Sequence, residues 1–311
     1  MSVPVRATSR GIYHPLLGTN VEVRVVARGG TPAVARAVAA DAEAAVVAEM
    51  ERLQDVFTVY DPGSELCRWR SGRLDAVSAE LSDVLGAAQH WWEFSGGAFH
   101  PAAGAFRQRW LRAEAEQELP SAAELDELAA RLAVLPFRVA GRRVERIGDC
   151  AGVDLNAIAK GYIVDRGVAA GRRDGVCDVL VNAGGDLRHV GDEVVRVGVE
   201  NPDAIGGRPL AAVVLGDGAM ATSGSVYRGF RIADQWYGHV IDPRTGRPVP
   251  NRPSTTVRAA SAITADALAT VVGVLAWSEA VPLLEQVSGA AALAVRSGGE
   301  LLSVGEWHQT V

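Results

Sequence analysis

The segment Asp154-Leu-Asn-Ala-Ile-Ala-Lys160-Gly161-Tyr162 places an acid at the expected start of a helix and a lysine under two turns later. A helix N-terminus carries partial positive charge, so this segment can grip an anionic ligand. A structural account is also open, with Asp154 as an N-cap and Lys160 as an exposed helix residue. Further on, Val181-Asn182-Ala183-Gly184-Gly185-Asp186 closes an apolar stretch. Paired glycines at a strand end let backbone approach a ligand, or simply make a tight turn. The spaced third glycine of a dinucleotide fingerprint is missing.

Three more segments carry chemically capable groups. Ala221-Thr222-Ser223-Gly224 offers hydroxyls and a glycine suited to cradling a phosphate. His239 opens His-Val-Ile-Asp242-Pro-Arg-Thr-Gly246-Arg-Pro248, and an imidazole can act as a base near neutral pH. Asp242 to Gly246 also forms a respectable turn sequence, and a lone histidine is often structural. In Thr264-Ala-Asp266-Ala-Leu-Ala-Thr270, Asp266 and Thr270 are four apart and project from one helix face. A carboxylate and a hydroxyl are hard oxygen ligands suited to Mg²⁺, which keeps waters and substrate phosphate oxygens in its shell. No cysteine or histidine lies nearby to suggest zinc. The simpler role for Asp266 is to favour a helix start through the dipole.

The elements that must hold these groups follow from periodicity and punctuation. Val21 to Val26 alternates as a strand, and Pro32 opens an alanine-rich helix to about Val56 with Val34, Val38, Ala45 and Leu53 on its inner face. Ser82 to Phe94 reads as a second helix stopped by Gly96-Gly97, and Ser121 with Glu124 forms a capping box ahead of a third that ends at Pro136. Phe137 to Ile147 and Ala291 to Val304 read as hairpins. Between them, a helix starts at Asp154 and runs through Leu155, Ile158, Ala159, Tyr162 and Ile163. Strands follow at Asp178 to Val181, Val195 to Val199 and Ala212 to Leu215, and Thr264 caps a helix from Ala265 to about Trp277. Strands and helices interleave without strict alternation and no long-period repeat is evident. The expected fold is α+β, mixed sheets with packed helices, as one domain over residues 1–311.

Composition narrows the function classes. A formal charge of −6 with scattered arginines argues against a nucleic-acid partner. No apolar run approaches a membrane span, and the first ten residues carry no apolar run of a leader, so membrane insertion is not expected and a cytoplasmic location is. Cys67, Cys150 and Cys177 are odd in number and far apart, as suits reduced thiols.

Taken in order, these segments resemble the ApbE family of FAD:protein FMN transferases. The matches are Leu17-Gly18-Thr19, Tyr60 with Ser64-Glu65-Leu66, Gly97-Ala98-Phe99, Asp154 to Tyr162, Asn182 to Asp186, Thr222 to Gly224, His239 to Pro248 and Asp266 to Thr270. The resemblance implies an FAD site lined by Leu17, Tyr60, Ala98, Phe99, His100, Asp154, Lys160 and Ile241. It implies Mg²⁺ held by Asp266 and Thr270 with the backbone carbonyl of Ala157, and His239 assisting deprotonation of the attacking group. The implied reaction joins FMN to a serine or threonine of an acceptor flavoprotein and releases AMP.

Some positions depart from the family pattern. Leu17 stands where methionine is usual, His100 where aspartate is usual, and Ser225 where an acid is common. Arg70 lies near a frequent asparagine, and Ala269 lacks a carboxylate that some members place beside the metal. Two other functions share most of these residues. One is an FAD pyrophosphatase yielding FMN and AMP, with water as nucleophile; the other is a non-catalytic FAD-binding protein.

Overall fold

The computed structural model describes residues 5–202, 204, 206–224, 229–250, 254–296, 298–307 and 309–310. Ser225 lies outside them. The chain opens with strands β1 (Val5–Leu16) and β2 (Thr19–Gly29), then helix α1 (Pro32–Phe57), capped by the Thr31 hydroxyl and started by Pro32. Helices α2 (Glu65–Arg70), α3 (Ala79–Phe94), α4 (Gly104–Glu116) and α5 (Ala122–Arg131) follow, then the hairpin β3 (Phe137–Ala140) and β4 (Arg143–Arg146). The second half runs α6 (Ala159–Gly171), β5 (Val176–Ala183), β6 (Asp186–Gly191), β7 (Val195–Val199), β8 (Ala211–Leu215) and β9 (Gly218–Gly224). Two small hairpins come next, β10 (Gly229–Ile232) with β11 (Gln235–Gly238), and β12 (Ile241–Asp242) with β13 (Arg247–Pro248). The chain finishes with β14 (Ser254–Ala259), α7 (Ala262–Val274), α8 (Trp277–Leu284), β15 (Ala291–Val295), β16 (Leu301–Val304) and β17 (Gln309–Thr310).

The frame is an eight-stranded antiparallel sheet in the order β1-β2-β5-β6-β9-β14-β15-β16. Val21, Val23 and Val25 of β2 and Val179 and Val181 of β5 are buried in one core with Ala39, Val46 and Leu53 of α1, Val164 and Val168 of α6, and Leu268 and Val272 of α7. The opposite face meets the smaller sheet β17-β8-β7 through Leu187, Met220 and Leu293 against Val199, Val213 and Leu215. This is the expected α+β class. Among the described residues no helix is long and apolar enough to cross a membrane.

Several local expectations need correction. β1 was not anticipated, because its polar residues face outward and only pairing with β2 reveals it as a strand. α3 begins at Ala79, capped by Ser78 rather than starting at Ser82. Val34 is exposed, since the inner face of α1 runs through Ala35, Ala39, Ala42, Val46 and Met50. α6 begins at Ala159, not Asp154: the Asp154 carboxylate accepts from the Asn156 backbone and side chain, stabilising a turn that competes with helix. α7 is capped by Ser261, with Thr264 inside its first turn, and ends at Val274; Leu275 is extended and α8 starts afresh at Trp277.

Candidate functional site

The site is built where α6 crosses α7. Gly161 has no Cβ, and one placed there would lie 2.3 Å from the Ala262 carbonyl oxygen, so only glycine permits this approach. The Gly161 amide belongs to the first turn of α6, where intrahelical acceptors are lacking. It donates instead to Oδ2 of Asp266, 3.0 Å away on α7. Asp165, one turn further along α6, accepts from the Ala262 and Ile263 amides at 2.9 Å each. The two helices are therefore stitched through three hydrogen bonds, two from the first amides of α7 to the middle of α6 and one from the first turn of α6 to Asp266.

Beside this crossing, Lys160 Nζ lies 2.7 Å from Asp186 Oδ2, at the start of β6 just past the Gly184-Gly185 turn. Asp186 and Asp266 are both buried. Burial raises both acids above the usual carboxylate range, and the charge of Asp186 raises Asp266 further; Lys160 opposes the rise in each. Two buried carboxylates with one ammonium form a negatively biased pocket that favours a cation or shared protons. Among the described residues no three His, Cys, Asp or Glu side chains cluster as a self-sufficient metal site. On α7 itself, Asp266 and Thr270 one turn on are oxygen-bearing side chains, Asp266 buried beside Gly161 of α6. Oxygen donors of this kind are the type that Mg²⁺ takes, with phosphate and water oxygens in its shell.

The other candidate residues are carried by several separate elements. Leu17 takes a left-handed conformation and its amide donates to the Gln54 side chain near the end of α1. Tyr60 follows that same helix end, its amide bound to Thr58 and its side chain open, at 87% exposure. Phe57 of α1 meets Tyr162 of α6 edge-on, and a Cβ on Gly184 would meet Thr19 Oγ1 at 2.5 Å. The end of α1, the start of α6 and the β1–β2 and β5–β6 turns thus share one end of the sheet.

Ala98 and Phe99 are buried in the core at 0% and 1% exposure, so in this conformation they shape the turn rather than face solvent. His100 is also buried; its Nδ1 accepts from the Ala102 amide, and burial pushes its pKa down to about 4. The ring is neutral with its proton on Nε2. The next residue, Pro101, accepts from the Asp154 amide at 2.6 Å, which joins this turn to the one before α6. Burial raises the Asp154 carboxyl above its ordinary value, against the hydrogen bonds from Asn156 and the charges of Arg70 and Arg107.

On the far half of α7, Gly273 packs against Ser223 and Val240, which brings β9 and the loop holding His239 to the same helix. His239 is half-buried. Ile241 lies in a second cluster with Phe106, Trp110 and Phe230, and the Asp242–Gly246 segment is the turn of the β12–β13 hairpin. Asp242 is occupied in that turn: it receives Arg244 at 2.9 and 2.8 Å and accepts the Arg244 amide. Two residues at the crossing, Asp186 and Asp165, are not among the candidates that the sequence marks for the site. Asp186 closes the Val181-to-Asp186 segment, but its pairing with Lys160 depends on the sheet. Asp165 was detectable only as an acid four residues after Gly161, on the same helix face.

A sequence profile of the ApbE family matches residues 17–294. The chain is 32% identical over 231 residues to the FAD:protein FMN transferase of Vibrio cholerae, covering 71% of this chain and 69% of that protein. It is 30% identical over 237 residues to the FAD:protein FMN transferase of Treponema pallidum, covering 70% and 66%. The alignments thus span about two thirds of those relatives. The crystal structure of the ApbE protein of Thermotoga maritima superposes with a TM-score of 0.79 at 27% identity, covering 95% of this chain and 96% of that one. The flavin transferase ApbE of Vibrio cholerae shares the fold, with a TM-score of 0.73 at 23% identity over 97% of each chain.

Proposed function

Because this chain belongs to the ApbE family, we propose that it is an FAD:protein FMN transferase acting on a serine or threonine of an acceptor flavoprotein. One observation carries the reading: Lys160, Asp186 and Asp266 meet at the α6–α7 crossing, an ammonium with two buried carboxylates. With 31% of its side chain exposed, Lys160 is held by Asp186 yet reaches solvent, where it meets the FAD pyrophosphate. Leu17 and Tyr60 supply apolar and aromatic surface at the adjacent rim for the flavin. Ala98, Phe99 and His100 shape the wall, Asp154 holds the turn before α6, and Ile241 anchors the loop that follows His239.

Asp266, Thr270 and the Ala157 carbonyl would hold Mg²⁺, which would supply Lewis-acid stabilisation of the pyrophosphate charge. The acceptor hydroxyl oxygen attacks the FMN-side phosphorus as His239 takes its proton. A phosphoester P–O bond forms, the P–O bond to AMP breaks, and AMP carries away the negative charge. The protein's share is alignment and proton removal.

The deciding experiment titrates Mg²⁺ against AMP release for the parent and for Asp266→Asn, which keeps the shape and removes the charge. The variant should release almost no AMP at ordinary Mg²⁺ and recover partly in excess. Full activity in a chelator, or a variant with the parent's Mg²⁺ response, would reduce α7 to a packed core helix. AMP release without acceptor marks a pyrophosphatase instead, and FAD binding without any AMP marks a binding protein.

A further inference from the structure

We propose that Asp165 is a positioning residue: its carboxylate clamps the N-terminus of α7 onto α6 and sets the register that brings Asp266 beside Gly161, Lys160 and Asp186. The consequence for the metal rests on the function proposed above; the register does not. Asp165 Oδ1 accepts from Ala262 N and Oδ2 from Ile263 N, both at 2.9 Å. These amides are in the first turn of α7 and have no acceptor within their own helix. One side chain on α6 therefore occupies two orphan donors of α7, and charge–amide bonds of this kind are stronger than neutral ones.

The first turn of α7 carries the small buried residues Ala262 and Ala265, and its larger core residues Leu268, Val271 and Val272 lie further along the helix. The other cap of the same helix, Ser261, is local: its hydroxyl serves Thr264 and nothing on α6. Arg188 Nε lies 3.5 Å from Asp165, and its Nη1 lies 2.7 Å from Asp217, so the carboxylate is itself held from the β6 side. From this clamp, Asp266 follows one helical turn down α7, where its Oδ2 receives the Gly161 amide. That amide is a built-in reporter of the register, since it lies in the first turn of α6 and its bond crosses to α7.

The test is amide hydrogen exchange at Gly161 in the parent, Asp165→Ala, Asp165→Asn and Ser261→Ala, with the Mg²⁺ midpoint for AMP release measured alongside. Losing charge-assisted hydrogen bonds should cut Gly161 protection roughly ten- to hundred-fold in Asp165→Ala, with Asp165→Asn in between because one acceptor oxygen remains. Ser261→Ala should leave Gly161 within about threefold of the parent, because its cap makes no bond to α6. The Mg²⁺ midpoint should rise in step with the loss of protection. Unchanged Gly161 exchange in the Asp165 variants overturns the proposal, as does an equal loss in Ser261→Ala, which would mean simple fraying of α7. If Asp165→Ala does not fold, Asp165→Asn carries the comparison. Altered exchange in a protein that shows no Mg²⁺ response would remove the proposed function and leave the clamp standing.

Discussion

Lys160 Nζ sits 2.7 Å from Asp186 Oδ2, joining the first turn of α6 to the start of β6 with an ammonium that is one-third exposed and a carboxylate that is 3% exposed. Lys160, whose helix position suits either an anion-gripping or an exposed residue, is thus also the counter-ion of a buried acid. Removing it should therefore change stability as well as the proposed ligand binding.

Lys160→Ala should weaken FAD binding by roughly ten- to hundred-fold, the worth of a charge-assisted hydrogen bond. It should also cost about 1.5–3 kcal/mol of stability, because Asp186 is left buried without its cation. Adding Asp186→Asn should restore most of the stability and none of the affinity. FAD titration and thermal melts on the single and double variants check both halves. A single variant as stable as the parent would mean that the pair contributes nothing to the fold.

Gly161→Ala should destabilise by about 1–3 kcal/mol, since its Cβ meets the Ala262 carbonyl at 2.3 Å and backbone cannot move aside cheaply. Gly86 in α3 provides the control: its nearest neighbour would be Val139 Cγ1 at 3.5 Å, an ordinary contact. Gly86→Ala should therefore stabilise by about 0.5–1 kcal/mol. Denaturant melts of the two variants should shift in opposite directions, and parallel shifts would contradict the tight helix crossing.

His239→Asn should reduce FMN transfer by about 10²–10⁴, the usual cost of losing a positioned general base, while FAD affinity stays near the parent value. Single-turnover transfer to a cognate acceptor separates the chemical step from binding. Parent-like turnover would take His239 out of the mechanism.

His100 should make the protein acid-sensitive. Burial holds its pKa at about 4, against an ordinary value of 6.5. Between those values the unfolded chain binds a proton that the folded chain refuses, so stability falls as pH drops through the window. The loss attributable to this one side chain approaches about 3 kcal/mol by pH 4. In His100→Asn, which keeps an acceptor for the Ala102 amide, the slope of melting temperature against pH between 4 and 6.5 should flatten. An unchanged slope would assign the acid sensitivity to other groups.

Local chemistry determined much of what the sequence alone conveyed. The Pro32 start of α1, the Ser121–Glu124 capping box and the alternation of β2 depend on neighbours a few residues away, and all appear in the structure. The same holds for the order of motifs from Leu17 to Thr270, which suffices to identify the family. Locality is also why the reading failed at Asp154, where an aspartate that favours a helix cap equally favours the Asx turn it adopts. Tertiary structure decided the rest. The sequence gives Lys160, Asp186 and Asp266 no mutual distance, because their meeting depends on a sheet that places β6 under α6 and on the absence of a side chain at Gly161. Whether an acid is a surface cap or a buried partner is a matter of desolvation, and desolvation is set by packed neighbours from distant parts of the chain. For that reason Asp165 and Asp186 had no visible role until α6, α7 and β6 were brought together.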